Sequence, residues 1–162
     1  MNNVTFSELI LSWYKHSSRN LPWRTDRDPY RIWLSEVMLQ QTRVSTVIPY
    51  YKKWLKRFPS IQDVANADID DVIKEWEGLG YYSRCRNFFT SCKIVVNEHN
   101  GIIPRDWPTF RSLPGVGDYT ASAVLSIVFN YCSPVIDGNV RRVMARLLSY
   151  EKNVNNGILE FR

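Results

Sequence analysis

Apolar residues recur every three or four positions through most of this chain, and no run alternates apolar and polar residues. That period belongs to helices and not to strands, so the fold class predicted is all-α. Thr5-Phe6-Ser7-Glu8 reads as a capping box, with Leu9, Ile10, Trp13 and Tyr14 following at helical spacing. Residues 17–30 are polar and contain Pro22 and Pro29, which predicts a loop. One long helix is expected from about Arg31 to Ile48, stopped by Pro49, and another from Tyr50 to Arg57, before Pro59. Ser60 and Asp68 look like caps of two short helices running through Ala65 and Trp76. Gly78 and Gly80 break the chain, and Tyr82 to Glu98 is again helical until Asn100-Gly101. A loop over 101–108 precedes a short helix near Phe110 and a turn, Leu113-Pro114-Gly115-Val116-Gly117. An apolar helix to about Tyr131 follows, then a helix from Asn139 to Tyr150. The stretch from Glu151 to Arg162 carries no closing signal and is expected to be a truncation.

Composition narrows the class. A chain of 162 residues is one domain, or one domain and part of another, and 44% hydrophobic residues suffice for a core. The net charge of +5 suits a polyanionic partner without proving one. Cys85 and Cys92 stand seven apart on an expected helix with Phe88 and Phe89 between them, which fits a packed face. With Cys132 they are too few and too scattered for a disulfide framework, and no Cys-x-x-Cys occurs, so no metal site is expected. No signal pattern and no apolar run of about 18 residues is present, so an intracellular protein without a membrane partner is expected.

The chemistry gathers at two carboxyls. Glu36 lies among Ile32, Trp33, Leu39 and Gln40 on a helix. A carboxyl there loses hydration, which favours its protonated form and suits a general acid; an ordinary Glu in an ion pair is the plain alternative. Asp137 follows the glycine turn by 20 residues and precedes a helix, whose N–H groups favour its anion; a simple helix N-cap is the plain alternative. Two carboxyls biased in opposite directions are what cleavage of a glycosidic bond requires, one for the leaving group and one facing the developing oxocarbenium. The turn at Leu113, Gly115, Val116 and Gly117 opens onto a helix N-terminus and could hold a phosphate. Tyr119, beside it, is placed to face the same pocket as Asp137 or to pack in the core, and it is no amine, so it forms no Schiff base. Gln40 and Gln41, adjacent on an apolar helix, need partners. Gly78-Leu79-Gly80-Tyr81-Tyr82 could present Leu79 and Tyr81 as a wedge for a base stack, or be a turn with core aromatics. Lys52, Lys53, Lys56 and Arg57, and Arg141, Arg142 and Arg146, are either solvated helix faces or phosphate contacts.

Leu21-Pro22-Trp23-Arg24, the run from Trp33 to Thr42, the run from Trp76 to Arg84, Leu113 to Gly117, and Asp137-Gly138-Asn139-Val140 come in one order. Together they resemble the helix-hairpin-helix DNA glycosylase superfamily, and within it the MutY-type adenine DNA glycosylases. The resemblance implies the helix-hairpin-helix glycosylase fold: a six-helix core over 21–131, an N-terminal helix and loop at 1–20 belonging to a second lobe, and an incomplete start of that lobe at 132–162. It implies base-excision repair by a monofunctional N-glycosylase acting on double-stranded DNA that carries adenine opposite 8-oxoguanine or guanine. The residue matching Glu36 protonates the departing adenine, and the one matching Asp137 stabilises the sugar cation through a covalent adduct. Tyr119 falls where bifunctional lyases carry a Schiff-base Lys. Arg19, Trp23, Arg24 and Leu39 would line the adenine pocket. Gln41, Thr42, Leu79 and Tyr81 would probe the opposite base, and the hairpin would hold phosphate with a bound monovalent cation. Family members continue into four cysteines that hold a [4Fe–4S] cluster and into a further recognition domain. Neither is found in these 162 residues, so no cofactor is expected within this chain. A monomer is expected, in the cytoplasm or nucleoid of a bacterial source. The alternatives are a thymine or uracil mismatch glycosylase of the same superfamily, and a non-catalytic DNA-binding remnant.

Overall fold

The computed structural model describes residues 5–150, and the described residues form helices and connecting turns. Helix α1 (Phe6–Ser17) starts with the predicted capping box, Thr5 and Glu8 each satisfying the other's backbone N–H. A 3-10 turn at Pro22–Arg24 interrupts the expected loop. Helix α2 (Pro29–Leu39) begins on Asp28, whose carboxylate accepts from the Arg31 N–H at 2.9 Å. The rest follow in order as α3 (Val44–Arg57), α4 (Ile61–Ala65), α5 (Ile69–Trp76), α6 (Tyr82–Glu98), α7 (Trp107–Arg111), α8 (Asp118–Phe129) and α9 (Gly138–Leu147). Ser60 and Asp68 cap α4 and α5 as expected.

Two expectations are corrected. The single helix from Arg31 to Ile48 is two helices, because the chain leaves α2 at Gln40 and turns through a left-handed Gln41 (φ 55°). Pro49 ends nothing and lies inside α3. Its missing N–H removes one backbone bond. Val47, Tyr51 and Trp54 bury one face of α3, and that packing holds the helix across the gap.

Helix α2 is the centre. Tyr30, Ile32, Trp33, Leu34, Ser35, Val37 and Met38 are all buried, so α2 is enclosed nearly all round by α3, α6, α8 and the 3-10 turn. Trp33 packs edge-on against Phe88 of α6 and Phe110 of α7, at centroid distances of 4.9 and 5.2 Å. Trp54 of α3 meets Phe58 and Trp76 in the same manner, and its indole N–H donates to the Tyr30 hydroxyl at 2.8 Å. Each of these rings stabilises the fold by roughly 1.5–3 kcal/mol through burial, and the edge-on geometry adds to that. Cys85 and Cys92 are buried in this core, as their spacing predicted. The two outer helices differ. No residue of α1 is buried, and Leu9, Leu11 and Trp13 are exposed, as are Val140, Val143 and Leu147 of α9.

Candidate active site

One cavity of about 970 Å³ opens between α2, the first turn of α8 and the start of α9. Its wall includes Glu36, Tyr119 and Asp137, which lie on three different elements. Glu36 is the one carboxyl on a helix otherwise wrapped in apolar neighbours. Burial raises its pKa, the Tyr119 hydroxyl and the Arg24 charge pull it down, and the negative charge of Asp137 pushes it further up. Burial, followed by the charge of Glu36, also raises the Tyr119 phenol, which therefore stays protonated.

Asp137 is the N-cap of α9 and also a wall residue of the cavity. It caps α9, one oxygen accepting from the Asn139 and Val140 N–H groups at 2.9 and 2.7 Å and the other from the Asn139 side-chain amide at 2.7 Å. It also lines the cavity. The capping bonds fix its orientation there. The segment leading to it is tied to α8: Ser122 and Ser133 hydroxyls bond at 2.9 Å, and Ser126 donates to the Ser133 carbonyl at 3.3 Å. Neither Ser122 nor Ser126 is marked by the sequence, since a hydroxyl inside an apolar helix gives no signal of its partner. Arg27, which donates to the Asn130 side chain at 3.0 Å, joins the other rim to the end of α8.

The predicted base-pocket residues Arg19, Trp23, Arg24 and Leu39 all line the same cavity, with Gln41 and Thr42 at its edge. Tyr14 of α1 joins them, its ring lying under the Arg24 guanidinium at 5.6 Å. Trp23 is mostly enclosed and packs against Tyr51. Gln40 and Gln41 do not sit on an apolar helix: Gln40 ends α2 and donates to Thr120 at 3.3 Å, while Gln41 is exposed.

Of the two readings of the Gly-Leu-Gly turn, a wedge or a plain turn, Leu79 follows the second: it is 5% exposed and part of the core. Gly78 and Gly80 adopt φ of 91° and 75°, which folds the apolar Leu79 inward and leaves Tyr81 outside at 58% exposed.

Hydrogen bonds brace the hairpin, and it is open at Gly117. The Val116 N–H donates to Leu113 at 3.0 Å, Ser91 to the Pro114 carbonyl at 2.8 Å, and Arg111 to the Val116 carbonyl at 2.9 Å. Leu113 and Val116 bury their side chains, which turns the backbone of Gly115 and Gly117 outward. Gly115 (φ 77°) packs on Asn87, where an added Cβ would come within 2.7 Å of the Asn87 Cβ; at Gly117 a Cβ would meet open space. Gly117 caps α8 without a side-chain bond, leaving the first N–H groups of that helix for an outside acceptor.

Over residues 34–160 the sequence matches the family described as HhH-GPD superfamily base excision DNA repair protein. The chain belongs to the HhH-GPD superfamily. Among its curated relatives, an adenine DNA glycosylase of Buchnera aphidicola subsp. Baizongia pistaciae is 45% identical over 161 residues, covering 99% of this chain and 45% of the relative. An adenine DNA glycosylase of Mus musculus is 47% identical over 153 residues, 89% of this chain and 30% of the relative. This HhH-GPD chain therefore spans less than half the length of the curated relatives it matches. Of the solved structures, a thermostable thymine-DNA glycosylase superposes with a TM-score of 0.80 at 29% identity, over 86% of this chain and 64% of that one.

Some superfamily members hold an iron–sulfur cluster, which calls for converging cysteines. The cysteines described here do not fit one. Cys85 and Cys92 are enclosed in the core, where burial pushes the Cys85 thiol up to about 12, and Cys132 is exposed on the loop after α8. Among the described residues no group of three or more His, Cys, Asp or Glu side chains converges as metal ligands. No helix among them is long and apolar enough to cross a membrane.

Proposed function

We propose that this chain carries the catalytic half of an adenine DNA glycosylase, which removes adenine mispaired with 8-oxoguanine or guanine. The observation that carries this is the single cavity uniting Glu36, Tyr119 and Asp137 from three elements. The names of the curated relatives support adenine as the base. A flipped adenine would enter between Trp23, Arg24 and Leu39. Glu36, whose pKa burial raises, would donate its proton to the leaving base. The carboxylate of Asp137, aligned by the N-terminus of α9, would face the positive charge that develops on the sugar as the glycosidic bond breaks. Water then completes hydrolysis. Tyr119, a phenol and not an amine, leaves the strand intact. The hairpin would hold a backbone phosphate next to the extruded nucleotide.

Single-turnover base release separates the readings. Duplexes with adenine opposite 8-oxoguanine should be cleaved after alkali, and duplexes with thymine opposite guanine should not. Release of thymine alone would assign the chain to mismatch glycosylases acting on pyrimidines. Duplex binding without release of either base would leave a DNA-binding module.

A further inference from the structure

Arg84 is a buried cation with no acid at hand. It is 9% exposed and takes part in none of the ion pairs among the described residues. Oxygens of two separate turns surround its guanidinium. One terminal nitrogen donates to the carbonyls of Val37, Met38 and Gln40 at 2.9, 2.9 and 2.6 Å, the free C-terminal carbonyls of α2. The other donates to the Thr42 hydroxyl at 3.2 Å and the Gly80 carbonyl at 3.1 Å. Its central carbon lies 5.4 Å from the centroid of the Trp76 ring and 5.3 Å from that of the Tyr81 ring.

The two turns share a second feature. Each carries an exposed residue in the left-handed region, Gln41 at φ 55° and Tyr81 at φ 48°. Side chains other than glycine adopt that backbone seldom, and it persists only where the surroundings over-determine it. The common surrounding group is the Arg84 fork, which reaches both turns at once. A lysine ammonium carries the same charge on a single point and cannot span them.

We propose that Arg84 is a positioning residue that locks the Gln40–Thr42 and Gly78–Tyr81 turns into one unit. That unit presents Gln41 and Tyr81 to a duplex together, so recognition of a mispaired site depends on a residue beneath the surface. The duplex half of this inference rests on the glycosylase reading; the coupling of the turns does not.

Amide hydrogen exchange on the whole chain without DNA tests the coupling. The Thr42 N–H bonds Leu39 and the Leu79 N–H bonds Trp76. In the parent these two amides should open with matching protection, and a difference greater than about tenfold would overturn the coupling, even if every Arg84 variant failed to fold. In Arg84→Lys both should exchange about tenfold faster or more, while the Ala121 N–H at the start of α8 keeps its protection. Acceleration in one turn only, or across the whole chain alike, overturns the proposal. Equilibrium binding then tests the consequence: Arg84→Lys should lose about tenfold of the preference for adenine opposite 8-oxoguanine over matched duplex, with matched affinity kept. A retained preference overturns the functional half. A parent without any such preference, whose turns nevertheless loosen together in Arg84→Lys, sinks the glycosylase reading and leaves the coupling standing.

Discussion

At the scale of single residues the site is a matter of charge placement. In the proposed mechanism Glu36 needs its proton to act, and burial raises the pKa at which it loses it. Base release should therefore fall as pH rises through that raised value, and Glu36→Gln should lower release by about 10²–10⁴ while sparing duplex affinity. The same shift carries a stability signature. A carboxyl whose folded pKa is raised by burial costs nothing below its unfolded value, and the folded state loses stability as pH rises from there through the folded value. Thermal melts should thus show Glu36→Gln gaining on the parent as pH climbs above the ordinary carboxyl range. Asp137 can be divided between its two roles by choice of substituent. Asn retains the cap and removes the charge, so Asp137→Asn should melt within about 1 kcal/mol of the parent and yet release no base; equal loss of fold would make the cap its main role. Tyr119→Lys places an amine in the cavity, and borohydride should then trap a DNA adduct that the parent does not give.

At the scale of elements, the two hairpin glycines separate folding from binding. Gly115→Ala forces a left-handed side chain against Asn87 and should destabilise the chain by about 1–3 kcal/mol in urea melts. Gly117→Val meets open space inside the protein, so its melt should be unchanged. Its affinity should nonetheless fall equally for matched and mismatched duplexes, because the added side chain stands where a phosphate would approach the first turn of α8. Sequence marks the elements unevenly. Capping boxes, Ser60, Asp68 and the glycines at 78 and 80 act through neighbours on the chain, and those boundaries were readable. The end of α2 was not, because nothing between Leu39 and Val44 is Gly or Pro. The break there is held by Arg84, more than 40 positions away. Pro49 misled for the converse reason: its local cost is overruled by the packing of Tyr51 and Trp54.

At the scale of the molecule, a packed core around α2 is accompanied by two helices whose apolar faces stay open. If α1 lends the core no burial, Leu11→Lys should shift the unfolding free energy by less than about 0.5 kcal/mol, whereas Trp76→Ala should cost about 3–5 kcal/mol; comparable losses would place α1 within the cooperative unit. Sequence by itself determined the helical class and most of the caps and nominated the two carboxyls, since periodicity, turn chemistry and side-chain acidity are properties of neighbours along the chain. Only the tertiary structure decided that Glu36, Tyr119 and Asp137 share one cavity, that Leu79 turns inward while Tyr81 stays out, and that one guanidinium joins two distant turns. Those outcomes depend on which surfaces exclude water from one another, and that is settled when the helices pack.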